Sequence, residues 1–167
     1  MDKKITRLGF PKPYNHSTKE CKKAFKHFGK GAEFRKGAYG VACENISIGK
    51  NVVVRTNSML FGEGGITIED DVLLGNAIHI YTTNHAHENK NKTIMEQGFE
   101  EHKPVTLKRS CWLGSCVVVL AGNTIGENAV VGAGSVVTKS VPGGEIWAGH
   151  PAKPIKLRVK VNERNGC

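Results

Sequence analysis

The feature that most constrains this chain is an aliphatic residue at every sixth position. Leu107, Leu113, Val119, Ile125, Val131 and Val137 give six consecutive hits. The spacing also holds upstream in two phases, Ile48, Val54 and Leu60, then Ile68, Leu74 and Ile80, with a two-residue slip around Gly64 and Gly65. A fixed period of this kind marks a solenoid, in which each repeat is one short unit that buries its apolar side against its neighbours. Glycine follows the aliphatic at Ile48-Gly49, Leu74-Gly75, Leu113-Gly114, Ile125-Gly126 and Val131-Gly132, where it suits a tight backbone turn after a very short strand.

Side chains alternate along a strand. If Leu113, Val119, Ile125 and Val131 point inward, so do the residues two earlier, Cys111, Val117, Asn123 and Ala129, which are mostly small. A narrow interior filled by one aliphatic and one small residue per hexapeptide predicts an all-β parallel β-helix with three hexapeptides, about 18 residues, per coil. The residues just before each aliphatic then face outward. Trp112 and Val130 share one outer face, and Val118 and Val136 share another. Apolar stripes stacked at coil spacing predict contacts between subunits.

Composition excludes several classes. Glycine is 20 of 167 residues, about 12% against a usual ~7%, and aromatics are 7%, which disfavours a helical bundle. The longest purely apolar run is residues 117–121, far short of the ~20 a membrane span needs, and the first ten residues lack a signal-peptide core. Five cysteines, Cys21, Cys43, Cys111, Cys116 and Cys167, form no tight pairs, so neither a disulfide framework nor a zinc ribbon is indicated and a reducing cytoplasm is expected. The net charge of +9 is concentrated at both ends and permits phosphate binding of any kind. No Walker loop, GxGxxG, RNP motif or zinc-finger spacing accompanies it, so no nucleic-acid partner is expected.

Two regions leave the repeat. Residues 17–29 carry a capping box (Ser17 with Glu20), apolar Cys21, Ala24, Phe25 and Phe28 at helical spacing, and Gly29 as a stop. They predict a short amphipathic helix, within a cap over residues 1–40, closing the open end of a solenoid domain at 41–151. Its lysines, Lys22, Lys23, Lys26 and Lys30, read as a solvated face. Residues 86–103 are polar, rich in histidine and out of phase, so they should loop outward, where function tends to sit. A basic tail over 152–167 contains Lys153, Lys156, Arg158 and Lys160 and ends at Cys167.

The run Trp112-Leu-Gly-Ser, the run from Ala121 through Gly-Asn-Thr-Ile-Gly to Thr138-Lys139, and Ala148-Gly-His-Pro-Ala-Lys-Pro-Ile resemble the hexapeptide-repeat acetyltransferases. The likeness is to the branch of galactoside, maltose and nodulation-type enzymes and those that acetylate capsule or lipopolysaccharide sugars, and it covers about residues 46–158. The resemblance implies a left-handed β-helix, a hand that breaks the usual crossover rule. It also implies a homotrimer with acetyl-CoA, the co-substrate, lying between neighbouring prisms.

By the same resemblance His85, beside Asn84 at the edge of the protruding loop, is the general base that deprotonates the acceptor hydroxyl. An unperturbed imidazole near pKa 6.5 suits that work at neutral pH. The backbone amide of Ser115, after Gly114, would hold the thioester oxygen. Ala133 would meet the pantetheine arm, Thr138 and Lys139 the nucleotide end, and Lys153 and Lys156 the phosphates. Arg55, Glu63, Asn84 and Trp112 fall on the acceptor side. Arg55 stands where relatives carry an asparagine, and an arginine suits an acceptor with a carboxylate or phosphate. His87 and His102 read as solvated, with Glu88 or a backbone carbonyl orienting the base. No metal site is expected.

Other readings remain open at this level. Amino-sugar N-acetylation and antibiotic acetylation share the cofactor site. A zinc lyase of the γ-carbonic-anhydrase type uses the same solenoid and would recruit His79, His85 and His87 from two subunits. A non-catalytic binding solenoid is the third.

Overall fold

The computed structural model describes residues 23–158 as a parallel β-helix of triangular section. Face 1 stacks β1 (His27–Phe28), β4 (Ile46–Ile48), β7 (Ile66–Ile68), β10 (Val105–Leu107) and β13 (Thr124–Ile125). Face 2 carries β2 (Glu33–Phe34), β5 (Val53–Val54), β8 (Leu73–Leu74), β11 (Trp112–Leu113), β14 (Val130–Val131), β16 (Glu145–Gly149) and β17 (Ala152–Leu157). Face 3 stacks β3 (Tyr39–Val41), β6 (Met59–Phe61), β9 (His79–Tyr81), β12 (Val118–Val119) and β15 (Val136–Val137). Both phases of the six-residue column are buried on the axis, along with Cys111, Val117, Asn123 and Ala129. Burial pushes the Cys111 thiol up to about 12, which leaves it an inert core residue.

The coil length departs from the expected eighteen in the first half. Thr106 pairs with Thr124 and Trp112 with Val130, a step of eighteen. His27 pairs with Ser47 and Ser47 with Thr67, each a step of twenty. The slip at Gly64 and Gly65 is therefore repeated one coil earlier, where Ala42 takes a left-handed φ of 51 and a 3₁₀ turn follows at Cys43–Asn45. The long excursion between β9 and β10 leaves from the same edge, between faces 3 and 1. All three departures thus fall on one edge, and the core column continues past each.

The two ends differ from the sequence expectation. The helix expected over 17–29 is helical at Lys23 and Ala24, while its Ser17–Glu20 box, Cys21 and Lys22 lie outside the described residues. Residues 27 and 28 are strand, because Gly29 N donates to Ile48 O and His27 pairs with Ser47. That ladder outcompetes the helical spacing, and the coil stack begins at His27, before the boundary expected at 41. Phe25 still closes the end, buried against Phe28 and Phe34. At the other end the tail's first residues form β17, which pairs antiparallel with β16 and covers the edge of face 2. Lys160 and Cys167 lie outside the described residues.

The outward ladders differ by face. Face 1 shows His27, Ser47, Thr67, Thr106 and Thr124. Face 2 shows Leu73, Trp112 and Val130, with Leu73 and Trp112 respectively 52% and 48% exposed. Face 3 shows Met59, His79, Val118 and Val136. The paired stripes read from the sequence are therefore real neighbours. No described helix is long and apolar enough to cross a membrane.

Candidate active site

The excursion at the edge between faces 3 and 1 builds its own scaffold. Thr93 caps a single-turn helix, α1 (Ile94–Gln97), and accepts from Glu96 N. The Glu96 carboxylate answers by accepting from Thr93 N at 2.9 Å, and these Thr93 contacts hold its carboxyl below the ordinary range. Gly98 ends the turn at φ 72, ψ −134, a conformation open to glycine and strained for other residues. Its carbonyl is thereby turned toward the other limb of the loop, where it accepts from Ala86 N at 3.1 Å and lies 3.2 Å from His85 Nδ1.

That contact assigns the imidazole tautomer. A carbonyl oxygen only accepts, so Nδ1 carries the proton and the neutral ring keeps its lone pair on Nε2. The ring is stacked on Phe99 at 4.5 Å between centroids, and the two residues form an antiparallel bridge. His85 is exposed, held on one side and open on the other. The group orienting it is the Gly98 carbonyl and not Glu88. His87 and His102, although exposed, are bonded: His87 Nδ1 faces His85 O at 3.1 Å, and His102 Nδ1 lies 2.7 Å from Thr83 Oγ1.

Beside His85, Asn84 lines a groove of about 450 Å³ together with Tyr81, Glu100, Lys103, Leu120 and Thr138. The structure thus brings Asn84 and Thr138 together at this loop edge. Glu63 stands on the same edge one coil lower, where Asn45 Nδ2 donates to its carbonyl oxygen. Both of its carboxylate oxygens are buried without a hydrogen-bond partner, so it presents no free oxygen to an acceptor in this conformation.

Most of the remaining candidates lie on the edge between faces 2 and 3, built of bare backbone. Gly75, Gly114 and Gly132 follow β8, β11 and β14 one above another. A Cβ on Gly75 would sit 2.4 Å from Ser115 N, and one on Gly114 would sit 2.6 Å from Ala133 N. The coils therefore approach more closely than any side chain permits. Ser115 Oγ accepts from Asn76 N and Ser115 O from Gly134 N, which fixes this peptide between the coils below and above. Lys153, opposite Ala148, tops the same edge, while Trp112 and Lys156 lie on face 2 itself.

Arg55 occupies the lowest of these positions and interrupts the pattern. At the other coils the first corner residue donates its amide upward: Arg35 N to Val54 O, Gly75 N to Leu113 O, Gly114 N to Val131 O. At Arg55 the Leu74 carbonyl receives the side-chain Nε instead, at 3.1 Å. Here β5 and β8 are not paired, the one break in the three stacks among the described residues.

A family profile described as the hexapeptide repeat of succinyl-transferase matches residues 45–81 and 104–139, leaving out the excursion. Galactoside O-acetyltransferase of Escherichia coli (strain K12) is 33% identical over 144 residues, 86% of this chain and 68% of that one. The chain belongs to the hexapeptide-repeat acetyltransferases. A galactoside acetyltransferase solved in complex with coenzyme A superposes with a TM-score of 0.77 at 32% identity, covering 83% of this chain and 68% of that one. A hexapeptide-repeat acetyltransferase of Vibrio cholerae, solved with acetyl-coenzyme A, gives a TM-score of 0.77 at 27% identity over 84% of this chain and 75% of that one. The chain spans about half the length of the curated relatives that match it over 112 residues.

In this chain the β-helix is left-handed, as in its structural neighbours. The candidate residues divide between two edges. Glu63, Asn84, His85, Thr138 and Lys139 line the loop edge, and Arg55, Gly114, Ser115, Ala133 and Lys153 line the glycine edge, with face 3 between them. Sequence reasoning missed Gly98, although Thr93, Glu96 and Gly98 together carry the signal of a capped turn with a glycine stop. His79, His85 and His87 do not converge within the chain: no cluster of three metal-ligating side chains occurs among the described residues.

Proposed function

We propose that this chain transfers an acetyl group from acetyl-CoA to a hydroxyl of a sugar or glycan intermediate, with His85 as general base, in sites shared between the chains of a homotrimer. One observation carries the reading. The candidates follow the same order of height on both edges: Glu63 and Arg55 lowest, then His85 and Ser115, then Thr138, Lys139 and Lys153 at the top. Face 3 separates the two series within one chain. A ring of parallel prisms apposes different edges of neighbouring chains at equal height, a heterologous contact that closes at three. The apolar ladders of faces 2 and 3 flank the glycine edge, whereas face 1 offers hydroxyls, so association buries the right sides.

Chemically, Nε2 of His85 accepts the proton of the acceptor hydroxyl as that oxygen bonds to the acetyl carbon. The C–S bond breaks, and the proton passes to the departing thiolate, returning the imidazole to neutral. The Ser115 amide donates to the carbonyl oxygen while it carries charge. Lys139, Lys153 and Lys156 supply cations for the nucleotide end. The relative named for galactoside O-acetylation favours a sugar hydroxyl over an amine.

Two measurements test this. Calorimetric titration with acetyl-CoA should show one site per chain, and sedimentation should show three chains per particle; failure to bind acetyl-CoA overturns the reading. Co-assembly of His85→Ala chains with Ser115→Pro chains, the latter lacking the amide N–H, should restore activity that neither variant has alone. Mixed particles that stay inactive, with both variants melting like the parent, would place each site within one chain.

A further inference from the structure

Arg55 is the residue that the fold and the proposed chemistry leave unexplained. Four arginines lie among the described residues. Arg35 pairs with Glu33 at 2.8 Å, Arg109 with Glu127 at 3.0 Å, and Arg158 reaches Asn128. Arg55 has no acidic partner among the described residues, and its one hydrogen bond runs from Nε to Leu74 O. A guanidinium held through Nε keeps both terminal nitrogens free as a fork, the geometry that matches a carboxylate or phosphate.

The anchor also sets where that fork stands. Leu74 directly precedes Gly75, whose corner packs under Ser115 N. The guanidinium thus meets the underside of the coil just below the Ser115 peptide, between one and two stacking distances of about 4.8 Å away. Gly75 and Gly114 place no side chain between the two. The cost is visible in the backbone: the β5–β8 pairing is lost where the side chain takes the carbonyl. Unmade backbone hydrogen bonds in a ladder are rare without a compensating role.

We infer that Arg55 reads an anionic group on the acceptor, and that the acceptor carries a carboxylate or phosphate about one sugar ring away from the hydroxyl that is acetylated. The inference rests on the acetyltransferase reading and names its substrate class. A neutral sugar leaves the fork unpaired; a hexuronate or sugar phosphate fills it with two parallel charge-assisted hydrogen bonds.

The test compares glucuronate, glucose 6-phosphate and glucose as probes in two formats. In the first, thiol release from acetyl-CoA gives kcat/KM for each; in the second, the CoA-loaded protein is titrated with each sugar and binding is read by NMR line shifts. The expected result is a preference of at least tenfold for one or both anionic sugars, carried by KM. That preference collapses in Arg55→Gln and is partly kept in Arg55→Lys, while acetyl-CoA affinity and melting temperature show that the variants fold. Equal handling of glucose and the anionic sugars, a preference that survives Arg55→Gln, or no saturable binding of either anion to CoA-loaded protein each overturns the inference. Failure of the underlying reading is distinct, because it shows as absent acetyl-CoA binding before any sugar is added.

Discussion

The loop edge and the glycine edge of the prism are built by opposite means. At the loop edge the chain adds residues: two extra per coil at the first two passes, then the whole excursion between β9 and β10. The additions bring side chains, with His85 clamped between the Gly98 carbonyl and Phe99. At the glycine edge the chain removes side chains, so that coils stack with peptide against peptide at Ser115 and Ala133. A β-helix core tolerates both because the inward column closes each face before the edge begins. Under the proposed reading, function depends on side chains at one edge and on backbone position at the other. The sharpest way to break this comparison is at the base. His85→Ala should lower kcat on the order of 10² to 10⁴ with an unchanged melting temperature, measured by thiol release. A variant with near-parental kcat would remove the loop edge from the chemistry.

Two substitutions probe the shared core and the stacked backbone. Leu113 is wholly buried immediately before Gly114, so Leu113→Ala should destabilise by about 2–5 kcal/mol. Denaturant unfolding at fixed protein concentration checks this, since association shifts apparent stability. Gly75→Ala drives a Cβ to 2.4 Å from Ser115 N. With backbone on the other side, the coils must move apart, at a cost of about 1–3 kcal/mol. Activity should fall with stability here, because the displaced peptide is the proposed oxyanion donor. A Gly75→Ala protein of parental stability would show that the coils can part at this corner without cost.

Gly98→Ala is the counterpart on the loop edge. A Cβ at Gly98 meets nothing within 4 Å, but φ is +72, so the change costs roughly 1 kcal/mol of backbone strain confined to the loop. Relaxing that strain turns the carbonyl away from His85 Nδ1. The expected result is a kcat lowered about tenfold with the melting transition unmoved, the reverse of Gly75→Ala. Matching losses of stability from both variants would dissolve the distinction between the edges.

The sequence reading succeeded wherever a side-chain period reports the structure. The columns from Ile48 to Val137, the small inward partners and the outward pairs Trp112–Val130 and Val118–Val136 all lie where alternation puts them. It fell short where backbone conformation decides. The slip at Gly64 and Gly65 was legible in the period, but the earlier twenty-residue coil arises from an αL residue at Ala42 and a short 3₁₀ turn, which carry no periodic signal. The strand at His27–Phe28 exists because β4 offers it a ladder, and helical spacing could not foresee that partner. Gly98 acts on His85 through a carbonyl thirteen residues away, and Arg55 through the Leu74 carbonyl. The family resemblance marked His85 and Arg55; only the fold shows that they stand on different edges.

The smallest expected effect concerns neither of those edges but the third, between faces 1 and 2, where a charged cluster at Glu69 sits between the glycine corners Gly49 and Gly126. Glu69 accepts from Lys108 Nζ at 2.8 Å and from Arg109 N at 2.9 Å, tying the coil below the excursion to the coil above it. The Lys108 hydrogen bond leads in holding its carboxyl below the ordinary range, against some desolvation. A carboxyl with a lowered folded pKa contributes stability above its unfolded value, about 4.3, and loses it as pH falls through the folded value. Both partners are partly exposed, so the contribution should not exceed about 1 kcal/mol. Glu69→Gln should therefore melt lower than the parent by a constant margin between pH 5 and 8, narrowing steadily below about pH 4. A margin independent of pH would assign the effect to packing, and the clasp across the excursion would then be the Arg109 backbone contact rather than charge.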